Sequence, residues 1–416
     1  MAISESQKPI TALKQTSEQF REEICAIADW WLRFAVDHEN GGFYGAVSYD
    51  NKPILGSEKC IILNARILWF FSAAAKFTGR EDYCLAAQRA YHYLLEYFVD
   101  HRHGGVYWML NAKGEVLASR KHTYAQAFAI YALSEYFSLT HDQNAYDLAF
   151  RCFELIESHA KDTVHNGYFE AFSEDWGALE DIRLSEKEDD SPKTMNTHLH
   201  VLEAYTALHQ LAIQHSNAQT SVTWALSNIL FVFCDRIVNR DTGHVCMFMD
   251  EQWRDHSSHY SFGHDIESSW LIQKAMTSLG AIGVDVSARQ VWVNQLAEVS
   301  LNRGLGANGS MADEYDIASG EFSASAWWVQ VEAMVGFANI WVHSGKEQYL
   351  EAVLKIWAHV QQYYCDGKHG EWHWFAVYDV APEESKYKIG PWKAPYHSGR
   401  AMMQLCDWFS RAVVNA

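Results

Sequence analysis

A short Gly-aromatic pattern recurs six times along this 416-residue chain, and the repeat limits the fold more than any single motif does. One glycine from each copy marks the repeat: Gly42, Gly105, Gly167, Gly243, Gly309 and Gly370. The steps between them are 63, 62, 76, 66 and 61 residues. Steps of this size predict one supersecondary unit repeated six times, with glycine supplying the positive φ of a tight turn. We expect the functional residues where the six units converge.

Two helix-length apolar patterns lie between successive glycine turns. The first is apolar almost all round, which predicts a buried inner helix, and the second has one apolar face, which predicts an outer helix. Inner helices are predicted over about 58–77, 121–140, 193–213, 260–280, 322–344 and 394–415. Outer helices are predicted over about 82–99, 143–160, 219–238, 286–302, 347–364 and 12–37. This order predicts an all-α fold, a closed (α/α)6 barrel of six inner and six outer helices with short Gly-aromatic loops at a funnel-shaped end.

Composition and charge restrict the organisation and the partners. The chain has only six prolines and no Pro/Gly/Ser-rich linker, so we predict a single domain over residues 1–416. The formal net charge of −19 argues against nucleic-acid and anionic-membrane partners. Residues 1–8 lack the features of a signal peptide, no apolar stretch approaches ~18 residues, and the eight cysteines form no C-x-x-C pair. We expect a cytoplasmic monomer or homodimer without disulfides that acts on a small molecule.

The longest connection between predicted helices, about 173–192, is strongly acidic. It carries Glu174, Asp175, Glu180, Asp181, Glu186, Glu188, Asp189 and Asp190. Long ordered loops are often functional lids, and a solvated acidic loop is an equal alternative. The chain also holds 17 Trp, 21 Tyr and 21 Phe, many of them near the glycine turns. Aromatic side chains at a concave end suit the C–H faces of sugar rings, although core filling explains part of this content.

Polar side chains gather in the first turns of the predicted inner helices. They are Arg66, Tyr124, Asn196, His200, His264, Glu267, Trp328, Glu332 and His397. Asn196 and His200 are four residues apart, and His264 and Glu267 are three apart, so each pair shares one helix face. Histidine can take and give protons near neutral pH, and arginine can hold the oxyanion of an enediolate. The set therefore predicts proton transfer next to a sugar carbonyl.

Metal and nucleotide sites are not expected. The histidines at 256, 259 and 264, or at 369 and 373, could group around a metal ion, but neither set has the spacing of a known metal motif. No G-x-G-x-x-G or P-loop pattern is present either.

Five stretches resemble the N-acylglucosamine 2-epimerase superfamily, and within it the cellobiose 2-epimerases. They are 64–66 (NAR), 196–205 (NTHLHVLEAY), 263–270 (GHDIESSW), 327–333 (WWVQVEA) and 390–400 (GPWKAPYHSGR). The resemblance covers essentially the whole chain. It implies an (α/α)6 barrel that inverts C2 of a reducing-end glucose or mannose without a metal or organic cofactor. Ala394 and Ser398 stand where the cellobiose-type pattern has Cys and Asn, and a related branch acts on free mannose.

The resemblance also implies a role for each matching residue. His264 would assist ring opening with support from Glu267. His200 and His397 would flank C2, one removing its proton and the other returning one on the opposite face. Arg66 would stabilise the cis-enediolate, with Tyr124 and Asn196 as polar neighbours. Trp328 and Trp392 would form a platform for the sugar, and Glu332 and Trp270 would complete the wall of the site.

Three other functions stay open from the residues alone. An aldose–ketose isomerase, converting mannose to fructose, would share the enediolate but return the proton to C1. An (α/α)6 glycoside hydrolase would need a carboxylate pair about 5 to 9.5 Å apart, for which Asp265, Glu267 and Glu332 are candidates. A sugar-binding protein without catalysis would need no proton exchange at C2.

Overall fold

The structure is a computed structural model that describes residues 8–185, 189–215, 219–385 and 387–415. Residues 1–7 at the N-terminus, and Glu186 and Glu188 of the acidic segment, lie outside these ranges. The described ranges contain twelve α-helices. These are α1 (Lys8–Phe34), α2 (Ile61–Thr78), α3 (Glu81–Tyr93), α4 (Thr123–Thr140), α5 (Gln143–Leu155), α6 (Met195–His215), α7 (Gln219–Val232), α8 (Phe262–Gly280), α9 (Gln290–Val299), α10 (Trp327–Ser344), α11 (Glu347–Tyr363) and α12 (Tyr396–Asn415).

The even-numbered helices form a closed inner ring. Each contacts the next, from α2 through α4, α6, α8 and α10 to α12, and α12 contacts α2 to close the ring. Each odd-numbered helix from α3 to α11 packs on the inner helix before it, and α1 packs on α12. Inner helices are buried on nearly every side, which is why their sequences are apolar all round. The predicted (α/α)6 barrel is therefore confirmed.

One inner helix meets the length and composition of a membrane span. This helix is α2, but 83% of the residues in that window are buried inside the protein. Its apolar character is explained by its place in the inner ring, between α12 and α4.

The inner helices begin two to five residues later than predicted, because the residues before four of them form short strands. The described strands are β1 (Lys59–Cys60), β2 (Met109–Leu110), β3 (Val116–Ala118), β4 (Lys121–His122), β5 (Ala171–Phe172), β6 (Lys193–Thr194), β7 (Phe248–Met249), β8 (His259–Ser261) and β9 (Glu314–Asp316). They pair antiparallel as β1–β2–β3, β4–β5, β6–β7 and β8–β9. Each of these pairings joins the start of an inner helix to the connection that follows the next glycine turn.

Buried lysine–aspartate pairs hold four of the six glycine turns in place. In each case, a lysine that precedes an inner helix pairs with an aspartate of the turn. That aspartate lies five residues before the second glycine of the turn, or before the residue that stands in that glycine's place. The Nζ–Oδ2 distances are 2.9 Å for Lys59–Asp37, 2.6 Å for Lys121–Asp100, 2.7 Å for Lys193–Asp162 and 2.6 Å for Lys388–Asp366. The other carboxylate oxygen of each aspartate accepts two backbone N–H groups of its own turn. These pairs fix the funnel end of the barrel, where the predicted site residues lie.

Candidate active site

The predicted site residues occupy equivalent positions in successive inner helices. The second residue of the helix is Tyr124 in α4, Asn196 in α6, Trp328 in α10 and His397 in α12. The sixth residue is Arg66 in α2, His200 in α6, Glu267 in α8 and Glu332 in α10. His264 is the third residue of α8. Because the inner helices form one ring, these positions converge on its axis at the N-terminal ends of the helices.

The centre of the site is a buried arginine that the sequence analysis did not assign. Arg400 Nη2 donates to Glu332 Oε1 at 2.7 Å and to Glu267 Oε1 at 3.1 Å. Its Nη1 atom donates to Glu203 and contacts the Tyr396 hydroxyl. One guanidinium thus connects three carboxylates from three helices, α6, α8 and α10. Arg400 and Glu203 both lie within the motif stretches, but nothing in their spacing indicated that they meet.

Two histidines are each held by a carboxylate of this cluster. His200 Nδ1 lies 3.0 Å from Glu203 Oε2, and His397 Nδ1 lies 2.7 Å from Glu332 Oε1. Among the described residues, neither Nε2 atom has a hydrogen-bond partner. A carboxylate on Nδ1 fixes the ring orientation and leaves Nε2 as the nitrogen that can exchange a proton with a ligand.

Glu203 and Glu332, the glutamates that hold the two histidines, differ in how strongly they favour the ionised form. Burial opposes ionisation of Glu203, but Arg400 and His200 outweigh it and hold the pKa of Glu203 well below its usual range. Burial raises the pKa of Glu332, and burial together with the nearby Glu332 raises the pKa of Glu267 well above its ordinary value. The Glu203 carboxylate therefore favours its ionised form, whereas burial opposes ionisation of Glu267 and Glu332.

Burial also keeps the histidines neutral. It lowers the pKa of His200 despite the pull of Glu203, and it lowers the pKa of His397 well below 6.5, with Arg66 and Arg400 adding to the effect. The pKa of His264 falls to about 3, again chiefly through burial. Neutral imidazoles are the form that accepts a proton, so the site favours base catalysis at neutral pH.

The expected support of His264 by Glu267 does not occur. The Glu267 carboxylate instead accepts from Arg400, and His264 Nδ1 lies 2.7 Å from the Ser261 hydroxyl. Ser261 caps the N-terminus of α8, which explains why it sits beside a histidine in the first turn. Trp328 lies between two histidines, with ring-centroid distances of 4.8 Å to His264 and 5.7 Å to His397.

Arg66 lies with the predicted polar neighbours. Its Nη2 donates to the Tyr124 hydroxyl at 3.0 Å, and its Nη1 donates to the Trp392 carbonyl at 3.3 Å. The Tyr124 ring in turn meets His200 edge-on, with centroids 4.9 Å apart. Asn196 Oδ1 and Arg66 Nε are buried without a hydrogen-bond partner in the part of the chain that the structure describes.

Two residues expected in the wall of the funnel are fully buried. Trp270 is 1% exposed and Glu332 is 0% exposed, and the indole N–H of Trp270 donates to Glu332 Oε2 at 3.0 Å. Glu332 also contacts His397 and Arg400, and its place with Trp270 in the sugar wall stays a prediction. Of the four residues expected to bind the sugar as platform or wall, Trp328 and Trp392 are partly exposed.

One cluster in the described residues has the ligand types of a metal site. Donor atoms of Glu267, Glu332 and His397 lie within 4.8 Å of one another. Arg400 Nη2 donates to both carboxylates of this cluster, so a guanidinium already supplies the positive charge there. The groups proposed from sequence lie elsewhere. His369 and His373, for example, lie 3.5 Å and 3.8 Å from Asp366.

The described part of the acidic connection is fastened to the neighbouring repeat. The indole N–H of Trp176 donates to the His103 carbonyl at 3.0 Å, and Arg120 Nη1 donates to the Arg183 carbonyl at 3.0 Å. The role of this connection as a lid stays a prediction.

Six inner helices bring histidines, carboxylates and an arginine together at one end of an (α/α)6 barrel, an arrangement suited to proton transfer on a bound ligand. The chain belongs to the N-acylglucosamine 2-epimerase (GlcNAc 2-epimerase) family, whose profile matches residues 41–401. It is a carbohydrate 2-epimerase, and thus an isomerase.

Three known proteins illustrate the similarity. The cellobiose 2-epimerase of Bacteroides fragilis is 39% identical over 394 residues, which cover 94% of this chain and 98% of that protein. The solved structure of cellobiose 2-epimerase from Bacillus thermoamylovorans is 36% identical with a TM-score of 0.87, covering 94% of this chain and 99% of that one. A D-mannose isomerase structure has a TM-score of 0.79 at 18% identity, covering 94% of this chain and 97% of that one, and shows the fold alone.

Proposed function

We propose that this protein interconverts cellobiose and its C2 epimer by moving protons at C2 of the reducing-end sugar. One observation carries the proposal. His200 and His397 each have Nδ1 held by a separate buried glutamate, and each Nε2 has no partner among the described residues. Two such bases from two helices are what inversion of a carbon requires. The choice of cellobiose is supported by the names of the relatives at 39% and 36% identity.

Ring opening comes first, because the C2 proton becomes acidic only when C1 is an aldehyde. His264 is the candidate for this step. Its Nδ1 is held by Ser261 at 2.7 Å, so Nε2 is left to exchange a proton with the ring oxygen or the C1 hydroxyl. The pKa of about 3 keeps His264 neutral, which allows either transfer at neutral pH.

The unequal charges behind His200 and His397 assign the two proton transfers. The ionised Glu203 accepts from His200 Nδ1, which makes His200 Nε2 the base in the resting enzyme. It removes the C2 proton, the C2–H electron pair forms the C1=C2 bond, and the carbonyl pair moves to O1. His397 Nε2 then donates a proton to C2 from the other face as the enediolate electrons return to the carbonyl, and Glu332 holds the imidazole through Nδ1. The opposite direction reverses these roles.

Arg66 and Tyr124 stabilise the intermediate. The guanidinium lies beside the Tyr124 hydroxyl at 3.0 Å, and both donate hydrogen bonds where negative charge develops on the enediolate oxygens. Arg66 is 4% exposed, and a buried cation acts on such charge more strongly than one in water does.

A hydrolase site is poorly supported by the same carboxylates. Glu267 and Glu332 both accept from Arg400 Nη2, which occupies the carboxylate oxygens that an acid/base pair would need, and their donor atoms within 4.8 Å leave no room for the attacking water of an inverting enzyme. An isomerase shares the enediolate and differs only in the carbon that receives the proton, so the distinction needs an experiment.

The decisive test is proton NMR of the protein, dialysed against EDTA, in D₂O with cellobiose and separately with mannose. We expect deuterium at C2 of an epimerised disaccharide, with cellobiose the faster substrate. A ketose carrying deuterium at C1 would identify an isomerase, and free glucose from cellobiose would identify a hydrolase.

Single substitutions test the assignment of the two bases. In His397→Asn, His200 should still exchange the C2 proton of cellobiose for deuterium and return it to the same face, without inversion. In His200→Asn, cellobiose should not exchange at all. His343→Asn, in an exposed position on α10, is the matched control and should behave as the parent. Inversion at the parent rate in either active-site variant would disprove the two-base scheme.

A further inference from the structure

A second cavity lies behind the active site, toward the opposite end of the inner ring. It has a volume of about 320 Å³, within the range of small-molecule sites. Its lining includes Trp69 and Lys76 from the middle and last turn of α2, Lys274 from the second half of α8 and Gln404 from the middle of α12. The catalytic histidines are in the first two turns of their helices, so this cavity is not part of the sugar funnel.

Arg400 separates the two sites. It lines the cavity, and its Nη1 and Nη2 atoms hold the three carboxylates behind the histidines. A ligand in the cavity would therefore lie on one side of Arg400 and the sugar on the other. The two ligands would not compete for the same space.

Lys274 is an unpaired cation at this cavity. Among the described residues, its Nζ has no hydrogen-bond acceptor and no ion pair, and its nearest ring partners are Tyr131 and Trp270, each with its centroid 5.9 Å away. Burial lowers the pKa of Lys274, and the carboxylates of Glu203 and Glu135, which act on it without contacting it, offset this effect only in part. By contrast, Lys76 at the mouth is neutralised by Glu135 at 2.9 Å and also donates to Ser138 at 2.7 Å. The charge that lacks a partner is that of Lys274.

The rest of the lining is largely apolar. Trp69, Phe77 and Met403 face the cavity beside the one unpaired ammonium. A bare phosphate ion would leave this apolar surface uncovered, and an apolar molecule would leave Lys274 unpaired. The chemistry matches a ligand with both parts.

We propose that this cavity binds a small organic carboxylate, with the carboxylate on Lys274 Nζ and an apolar body against Trp69, Phe77 and Met403. The interaction resembles a charge-assisted hydrogen bond in a partly desolvated site, which contributes more than a surface ion pair does. The inference is independent of the reaction that the funnel catalyses.

The probe is benzoate, measured by isothermal titration calorimetry with the full chain at constant ionic strength. We expect one site per chain, and binding of the neutral isostere benzyl alcohol to be weaker by about tenfold or more, because it cannot pair with the ammonium. Saturating cellobiose should not displace benzoate. Equal binding of benzyl alcohol, displacement by cellobiose, or no binding at millimolar benzoate would each overturn the proposal.

Two variants locate the ligand. Lys274→Met keeps the length of the side chain and removes the charge, and it should weaken benzoate binding by about tenfold or more. Gln404→Glu places a carboxylate in the cavity lining and should weaken binding through the same contact. Lys113→Gln, on an exposed turn, is the control and should bind as the parent does. Parent-like affinity in both cavity variants would place benzoate elsewhere and refute the site.

Discussion

Replacing Arg400 with methionine should be among the most destabilising single changes in this protein. Arg400 is 3% exposed and donates to carboxylates of Glu203, Glu267 and Glu332. Removing one partner of a buried ion pair costs about 3–5 kcal/mol, because the remaining charge is left in a poorly solvated site. Three carboxylates share this one cation, but burial already opposes the ionisation of two of them, so the cost should stay within that range rather than triple.

The loss of stability in Arg400→Met should be larger at high pH than at low pH. Without the guanidinium, the pKa of Glu203 loses the largest influence that lowers it, and the pKa values of Glu267 and Glu332 rise further above the unfolded value of about 4.3. The folded state of the variant then binds more protons than the unfolded state over a wider range, so its free energy of unfolding falls as pH rises. We expect the full loss at about pH 7.5 and a smaller one at about pH 5, where protonation of the carboxylates removes the repulsion.

Urea unfolding followed by circular dichroism at both pH values measures this effect. The matched control is Arg411→Met on the same helix, whose side chain is 71% exposed and pairs with Asp407. An exposed pair of this kind contributes less than about 1 kcal/mol, so the control should stay close to the parent at both pH values. The argument would be refuted if Arg400→Met cost no more than the control at about pH 7.5, or if its cost grew on acidification.

Three further predictions concern catalysis. Glu203→Gln removes the ionised acceptor of His200 Nδ1 and should lower kcat for cellobiose epimerisation by about 10²–10⁴-fold with little change in KM, measured by initial rates. Ser261→Ala removes both a helix cap and the partner of His264 Nδ1, so it should cost about 1 kcal/mol in urea unfolding and slow turnover, and unchanged turnover would exclude Ser261 as the positioning residue. Because burial lowers the histidine pKa values, kcat/KM should begin to fall with decreasing pH only below about pH 6.5, as these bases become protonated. A decline that starts at higher pH would contradict this reading.

The helical ring could be predicted because each of its features repeats. A segment that is apolar all round, followed by a segment with one apolar face, occurs six times. An error in placing one copy can therefore be corrected by comparison with the next copy. Helix starts were less accurate, because the short strands β1, β4, β6 and β8 directly precede four of the inner helices. The buried pairs such as Lys121–Asp100 were also missed, because the partners lie 21 residues apart and neither one marks a recognisable motif.

The residues that we propose to act on the sugar could be found from sequence, whereas Arg400, which holds their carboxylate partners, could not. Arg66, His200, His264 and His397 occur within motif stretches and at equivalent helix positions, so both arguments indicate them. Arg400 meets its carboxylates across 197, 133 and 68 residues of chain, and no local pattern encodes those distances. The support of His264 was assigned to Glu267 on helix spacing, but the N-cap serine took that place.

The charge arrangement behind the histidines explains why a single arginine suffices for a reaction that must run in both directions. Epimerisation needs one base unprotonated and the other protonated at the start, and the reverse at the end. Identical surroundings would give both histidines the same protonation state and would favour neither transfer. Arg400 favours the ionised form of Glu203, whereas Glu267 and Glu332 compete for its Nη2 atom in surroundings where burial opposes their ionisation. The asymmetry that inversion requires is therefore built into the carboxylates rather than into the histidines themselves.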